Sequence, residues 1–177
     1  MPKPFFPSAK NINSIIRVNH AGEFGAMRIY QGQIEYTNNP KDKEIIKQML
    51  RQELEHLEYF EEKIIHGIRP TIFMPIWHMA GYILGMISAK LSNSTAMLVT
   101  ESVEEVIEQH YDQQIKYLQQ TGEDSLLLTK LKKFQQDEVE HKHIAIDYGS
   151  RASPFYGFIA KTIKGACKVA IFISKKL

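Results

Sequence analysis

Two Glu-x-x-His motifs, one in each half of the chain, are the residues best suited to do chemistry, and a single glutamate precedes each motif. The six residues of this pattern are Glu23, Glu53, His56, Glu104, Glu138 and His141. The single glutamate precedes its motif by 30 residues in the first half and by 34 residues in the second half. Such similar intervals are expected of two helix pairs related by an approximate twofold axis.

The residue types in this pattern suit a pair of metal ions. Residues three positions apart project from the same face of a helix, so the carboxylate and imidazole of each motif can bind one ion. With the two single glutamates, the set contains four carboxylates and two imidazoles, as in ferritin-like di-iron and di-manganese bundles. Four glutamates would also neutralise two divalent cations, and oxygen and imidazole ligands suit iron or manganese.

Neighbouring acids compete for these roles. Glu105 adjoins Glu104, while Glu55 and Glu140 lie inside the two motifs. The helical period places Glu55 and Glu140 about 200° around the helix from the first glutamate of their motif, so they cannot share its inward face. A solvated surface remains the alternative for either motif taken alone, because charged helix faces are usually exposed.

Two tyrosines and a histidine accompany the pattern. Tyr30 follows Glu23 by seven residues and Tyr111 follows Glu104 by the same interval, so each tyrosine lies two turns along the face of its glutamate. Contact with the ligands or the substrate competes here with ordinary packing between helices. His110 is a candidate for proton or electron transfer, with a polar surface position as the alternative. Four histidines receive no role: His20, His66, His78 and His143.

The elements that position these residues are predicted to be helices, in an all-α fold with one domain over residues 1–177. Apolar residues recur at three- and four-residue steps, and no segment shows the alternation of a strand. The predicted helices span residues 18–36, 42–66, 94–119 and 124–148. In the first of them, three glycines lower helix propensity but permit close helix packing: Gly22, Gly25 and Gly32. The predicted architecture is a ferritin-like four-helix bundle.

Two further segments, 70–90 and 153–177, do not fit a plain bundle. Residues 70–89 carry no formal charge, but Pro75 and His78 interrupt the apolar run, which favours an interfacial or core-facing helix over a transmembrane one. The C-terminal segment is a basic amphipathic helix, with three lysines on one face: Lys161, Lys164 and Lys168. It suits an anionic membrane surface, and docking on the bundle is the alternative.

Composition narrows the function further. The formal net charge is +2, yet the stretch from Glu23 to Asp147 holds all 20 acidic residues and only 13 of the 22 lysines and arginines. An acidic middle argues against a broad nucleic-acid surface and favours cation binding. The single cysteine, Cys167, excludes a disulfide framework and a cysteine-only metal site. Residues 1–7 lack the long apolar run of a secretory signal, so a cytosol-facing chain is expected.

Longer motifs around these residues resemble the demethoxyubiquinone hydroxylase family of ubiquinone biosynthesis. The run IRVNHAGEFGA around Glu23 is the most specific of them. Together the motifs cover most of the chain from residue 15 onward. They are IRVNHAGEFGA at 16–26, RIYxGQ at 28–33, QExxH at 52–56, RPT at 69–71, MPxW at 74–77, VEE at 103–105, HY at 110–111, DExEH at 137–141 and GAC at 165–167.

The resemblance implies a di-iron monooxygenase. It implies that the six residues of the pattern bind two iron ions and that Glu53 and Glu138 bridge them. The implied substrate is a demethoxyubiquinol with a polyprenyl tail, which is hydroxylated on the ring with dioxygen. Because the sequence has no Gly-rich dinucleotide fingerprint, electrons are expected from an external reductant such as NADH, from the quinol itself or from a partner.

The resemblance also implies a location and partners. A polyprenylated substrate requires a peripheral membrane protein, with 70–90 and the C-terminal helix in contact with lipid. The short segment before residue 15 is typical of a bacterial form without a transit peptide, which implies the cytoplasmic side of the inner membrane. Possible protein partners are a second copy of the chain and other ubiquinone-biosynthesis proteins, and no nucleic-acid partner is expected.

Other functions could use the same ligands. A bacterioferritin-like protein that oxidises and stores iron has the same six, but it has no use for the two apolar segments. A rubrerythrin-like peroxidase needs cysteine ligands that one Cys cannot supply. A non-catalytic quinone-binding scaffold is the third alternative.

Overall fold

The computed structural model describes residues 11–175, all as helices and short connections. Residues 1–7, expected to lack a signal, and the end of the basic C-terminal segment at 176–177 lie outside the described residues. The described chain folds into α1 (Asn11–Tyr36), α2 (Pro40–Ile65), α3 (Met74–Leu91), α4 (Asn93–Thr121), α5 (Ser125–Asp147), a short 3₁₀ turn (Ser150–Ala152) and α6 (Tyr156–Ser174). The all-α prediction is confirmed.

Local capping explains where the bundle helices begin and end. Asn39 caps α2 by accepting from the Lys41 amide, with Pro40 in the first turn, where its missing N–H costs nothing. Ser92 caps α4 in the same way, through the Thr95 amide at 3.1 Å. Gly122 closes α4 in the left-handed conformation, at φ 69°, and Asp124 then caps α5. The turn predicted at 121–123 is therefore the α4–α5 connection.

Helix α1 begins at Asn11 rather than near Val18. The earlier turns are helical because they bury apolar side chains: Ile15 and Ile16 pack in a cluster with Phe60, Tyr111 and other core residues. Burial of this face stabilises the first turns of the helix, which local propensity alone leaves undetermined.

Among the described residues the core contains three apolar clusters. The smallest, Ile29, Val99 and Val103, packs α1 on α4, and the other two lie toward opposite ends of the bundle. Each long helix contributes to both, for example Phe60 and Met49 from α2, or Phe134 and Ala145 from α5. In every one of these helices the glutamate or histidine of the sequence pattern lies between the two contributions. The polar residues are therefore held at mid-bundle, with packed apolar layers on either side.

Helix α3 crosses α1 at very short range. A Cβ atom on Gly81 would lie 2.8 Å from the Gly25 carbonyl oxygen, and one on Gly85 would overlap the Ile29 carbonyl. On α1, Gly32 makes the matching approach to the backbone of Tyr82. The predicted close packing thus occurs at Gly32, whereas a Cβ on Gly22 or Gly25 would point into open space.

The two additional segments leave apolar faces uncovered. Between residues 72 and 91, six exposed side chains recur at three- and four-residue steps: Ile72, Ile76, Met79, Ile83, Ile87 and Leu91. Helix α6 packs on α4 and exposes Phe155, Phe158, Val169 and Phe172. Over residues 11–175, none of the helices combines the length and hydrophobicity needed to traverse a bilayer. Lys164 turns inward to pair with Glu105 at 2.7 Å instead of sharing a free basic face.

Candidate metal centre

Four helices bring the six residues of the sequence pattern together. Glu23 comes from α1, the first motif from α2, Glu104 from α4 and the second motif from α5. All six side chains are at most 1% exposed. Their ligand atoms form two groups in which all atoms lie within 4.8 Å of one another. The first group is Glu23, Glu53, His56 and Glu138, and the second is Glu53, Glu104, Glu138 and His141.

Both imidazoles present Nδ1 to the carboxylates. His56 Nδ1 lies 3.2 Å from Glu138 Oε1 and 3.5 Å from Glu23 Oε2. His141 Nδ1 lies 3.0 Å from Glu53 Oε1 and 3.4 Å from Glu138 Oε2. Glu138 therefore faces both histidines, and Glu53 belongs to both groups, so these two carboxylates are the ones placed to serve two ions.

The other ring nitrogen of each histidine is held from the opposite helix. His56 Nε2 donates to Asp137 Oδ2 at 2.9 Å, and His141 Nε2 donates to Gln52 Oε1 at 3.0 Å. These bonds fix the ring orientation and leave Nδ1 free to bind a cation. Asp137 and Gln52 each directly precede the glutamate of a motif. Both residues belong to the motifs that carry the family resemblance, QExxH and DExEH, but the sequence analysis assigned neither of them a role.

The two tyrosines donate to the single glutamates. The Tyr30 hydroxyl bonds Glu104 Oε1 at 2.6 Å, and the Tyr111 hydroxyl bonds Glu23 Oε1. Each tyrosine thus contacts the glutamate of the other half rather than its own neighbour along the helix. Both are buried, and burial together with the nearby carboxylates raises the pKa of each phenol.

Burial and mutual repulsion shift the pKa values of the clustered carboxylates. Burial and repulsion from Glu138 raise the pKa of Glu53 and of Glu104. Burial opposes the charged forms of Glu138 and His141 as well, but the close contacts of Glu138 with His141 and His56, and of His141 with Glu138 and Glu53, prevail. They lower the pKa of Glu138 to about 2 and raise that of His141 to about 11.

Over residues 11–175, eight of the eleven buried side-chain polar atoms that lack a hydrogen-bond partner lie in this cluster. They include both carboxylate oxygens of Glu53 and of Glu138, one each of Glu23 and Glu104, and Nδ1 of each motif histidine. An unpaired buried polar atom is costly, and two divalent cations would bind these atoms and balance four carboxylates. The residues therefore fit a dinuclear metal site.

The competing acids lie outside the cluster. Glu55 and Glu140 are exposed on the outer faces of α2 and α5, as the helical period predicts, and Glu105 pairs with Lys164. Of the histidines without a predicted role, His66, His78 and His143 are exposed and His20 is buried. None of these residues belongs to either ligand group.

His110 is buried rather than on the surface. Its Nε2 lies 2.7 Å from the Gln114 side chain, which pairs with Asn19 through two hydrogen bonds of 2.9 Å. His110 also lines a cavity of about 280 Å³ between α4 and α6, together with Lys168 and Lys175. The residues that line this cavity include no carboxylate.

A largely apolar groove of about 190 Å³ lies between α1, α3, α4 and α6. Its lining includes Gly22 and Ala26, which flank Glu23 on α1, and Val103, which precedes Glu104 on α4. The groove thus runs against the helical turns that carry the two single glutamates. Trp77 Nε1 donates to Ser174 Oγ at 3.2 Å, which joins α3 to α6 beside the groove.

We expect Tyr30→Phe to weaken the binding of Mn²⁺ by about 10–100-fold, because Glu104 loses the hydrogen bond that orients it. Competition with a chelator measures this affinity. Tyr82→Phe is the matched control, since Tyr82 also donates to a glutamate, Glu35, but at the surface. Equal affinities for the two variants would contradict the orienting role of Tyr30.

Comparison with known proteins gives consistent results. Residues 10–174 match the family described as ubiquinone biosynthesis protein COQ7. The chain is 43% identical over 168 residues to the mitochondrial NADPH-dependent 3-demethoxyubiquinone 3-hydroxylase of Dictyostelium discoideum, covering 94% of this chain and 77% of that protein. The Homo sapiens protein of the same name is 38% identical over 169 residues, covering 94% and 78%. The 3-demethoxyubiquinol 3-hydroxylase of Rhodospirillum rubrum is 36% identical over 169 residues, with the same coverage.

Proposed function

The chain belongs to the family of ubiquinone biosynthesis protein COQ7, and on that basis we propose that it is a 3-demethoxyubiquinol 3-hydroxylase. The enzyme would hydroxylate the ring of a polyprenylated quinol in ubiquinone biosynthesis. The observation that carries the proposal is the similarity, over nearly the whole chain, to relatives named for this hydroxylation. The buried cluster of four glutamates and two histidines supports it, because ring hydroxylation requires chemistry that amino-acid side chains do not supply.

We infer that the six residues hold two iron ions, with Glu53 and Glu138 shared between them. Iron would supply the redox chemistry with dioxygen. The protein supplies a neutral cage, because four carboxylates balance two divalent charges in a site that excludes water. Tyr30 and Tyr111 hold Glu104 and Glu23 in place.

The groove would bind the substrate. Its apolar lining suits a quinol ring and the first isoprene units, and it lies against the turns that carry Glu23 and Glu104. The exposed apolar residues of 72–91 and the exposed aromatic residues Phe155, Phe158 and Phe172 of α6 would lie in the lipid interface. A polyprenyl tail could then remain in the bilayer while the ring enters the groove, which supports a peripheral membrane location.

An external reductant would supply the electrons. Relatives are named as NADPH-dependent enzymes. The cavity beside His110 is lined in part by Lys168, whose charge would attract the phosphates of a nicotinamide dinucleotide. From there, His110, Gln114 and Asn19 form a buried chain of hydrogen bonds toward α1, on which Glu23 lies one turn further.

Product analysis tests the hydroxylase directly. The iron-loaded protein, supplied with a short-chain demethoxyubiquinol, dioxygen and NADPH or NADH, should give a product heavier by one oxygen atom in mass spectrometry. Complementation of a strain that lacks this hydroxylase tests the same activity in cells. Iron content separates the storage alternative, because the hydroxylase should bind about two ions per chain. Hundreds of ions per particle, without product, would refute the proposal.

Filling the groove should weaken substrate binding. We expect Gly25→Leu to raise KM for the quinol by about tenfold, a loss of about 1.4 kcal/mol of binding energy, with little change in kcat or metal content. A Cβ on Gly25 would meet no atom within 4 Å, and Gly25 lines the groove, so the larger side chain would occupy groove space. Gly165→Leu on α6 is the control, since its Cβ is also unobstructed but lies outside the groove lining. Equal KM values for the two variants would exclude this groove as the quinol site.

A further inference from the structure

The two ligand groups have the same residue types but not the same geometry, since His56 Nδ1 lies near the single glutamate of its group and His141 Nδ1 lies near Glu53 and Glu138 instead. They also differ in the charge beside the histidine. Each has a single glutamate held by a tyrosine, one histidine, and a share in Glu53 and Glu138. The difference in charge lies in the partner of the histidine ring. Asp137, a carboxylate, accepts from His56, whereas Gln52, a neutral amide, accepts from His141.

From this difference we infer that the two metal ions bind with unequal affinity and that the ion beside His56 binds first. The inference rests on the metal-binding part of the proposed function. A carboxylate that accepts from Nε2 makes the imidazole a stronger donor at Nδ1 and adds a negative charge near the cation. An amide of similar geometry orients the ring but adds no charge.

One neighbouring cation reduces this difference without removing it. Lys133 Nζ lies 3.0 Å from Asp137 Oδ2 and 4.0 Å from Glu55 Oε2. The Lys133 side chain is 54% exposed, so water screens its charge, whereas the His56 side chain is fully buried. Water therefore weakens the effect of Lys133 on the ion more than it weakens the effect that Asp137 has through the buried His56.

Titration of the metal-free protein with Mn²⁺ tests the inference. Calorimetry should resolve two steps of one ion per chain, with dissociation constants that differ by about tenfold, the lower end of the range for partners of metal-bound histidines. Crystals grown with one equivalent of Mn²⁺ should show the stronger anomalous peak beside His56. This readout does not depend on hydroxylase activity.

Exchanging the two ring partners gives the decisive comparison. Asp137→Asn should weaken only the first Mn²⁺-binding step, and Gln52→Glu should strengthen the second. Either variant should therefore make the two dissociation constants more similar. The double exchange should move the stronger anomalous peak to His141. If Asp137 and Gln52 only stabilised the fold, their replacement would weaken both Mn²⁺-binding steps and lower the melting temperature. Glu140→Gln, on the exposed face of the same helix as Asp137, is the matched control and should change neither step.

Two results would overturn the inference: equal occupancy of the two positions in the unmodified protein, or a peak that remains beside His56 after the double exchange. Absence of Mn²⁺ binding would refute both this inference and the proposed metal site. Failure of the hydroxylation assay with stepwise Mn²⁺ binding intact would count against the proposed substrate alone.

Discussion

Glu138→Ala should reduce hydroxylation by at least about 1000-fold, equivalent to roughly 4 kcal/mol of transition-state stabilisation. Glu138 is the residue that faces both histidines, at 3.2 Å from His56 Nδ1 and 3.4 Å from His141 Nδ1. Its removal takes a ligand from both groups at once and leaves three carboxylates to balance two divalent cations. We therefore expect iron content to fall well below two ions per chain, measured together with product formation.

Glu140→Ala is the control for this loss. Glu140 lies two residues further along α5, on the exposed face, and belongs to neither ligand group. Its iron content and activity should match those of the unmodified protein. Membrane-vesicle binding should be unchanged in both variants, because neither Glu138, which is buried, nor Glu140 belongs to the exposed apolar faces. A Glu138→Ala protein that still forms product at the normal rate would refute the metal-centre mechanism.

The stability of the metal-free protein should fall as pH rises above about 4.5, the usual pKa of glutamate. Glu53 and Glu104 have raised pKa values in the folded chain, so above this pH the unfolded chain has released protons that the folded chain retains. His141 has a pKa of about 11 in the folded chain, against 6.5 ordinarily, so the loss of stability continues as pH rises above 6.5. Glu138, with its pKa of about 2, acts in the opposite sense below pH 4.5.

Bound metal should remove this penalty, because cations replace the protons between the carboxylates. The rise in melting temperature on adding Mn²⁺ should therefore grow between pH 5 and pH 8. It should reach about 5–10 °C per ion at a concentration of roughly 100 times the dissociation constant. Thermal unfolding with and without Mn²⁺ measures the effect.

Glu104→Gln sharpens the test of the pH effect. The amide keeps an oxygen for Tyr30 but removes a buried charge, so at pH 8 the metal-free variant should melt at a higher temperature than the metal-free unmodified protein. With Mn²⁺ the order should reverse, since the variant has lost a ligand. A Mn²⁺ effect that does not change with pH would contradict the electrostatic explanation.

The features that could be predicted from sequence are those that follow from the period of the α-helix. Residues at i and i+3 share a helix face, so the two motifs and the outward positions of Glu55 and Glu140 could be predicted before the fold was known. The partners of His56 and His141 could not, because contacts across helices depend on how α2 and α5 are staggered. The same limit applies to Tyr30 and Tyr111, whose hydroxyls reach glutamates of the opposite half.

Glycine spacing shows a similar limit. Three glycines on α1 indicated close packing, but helix rotation decides which of them meets a neighbour. Only Gly32 approaches the α3 backbone through its own missing side chain, while Gly25 meets Gly81 through its carbonyl oxygen. The partners Gly81 and Gly85 lie in a segment whose composition favoured an interfacial or core-facing helix without deciding between the two. Packing of a helix pair is therefore a property of both sequences and their relative rotation.

The close packing of α1 on α3 at glycines also determines which of the helices that line the groove can move. Backbone contacts at Gly81 and Gly85 leave α3 no clearance to slide along α1. Helix α6 is instead attached by side chains, among them the Trp77–Ser174 and Lys164–Glu105 contacts. A ligand that needs a wider groove would therefore displace α6 more readily than α3. The outer face of α6 carries exposed apolar side chains, among them Phe158 and Val169, so whatever covers that face also bears on the helix that can yield.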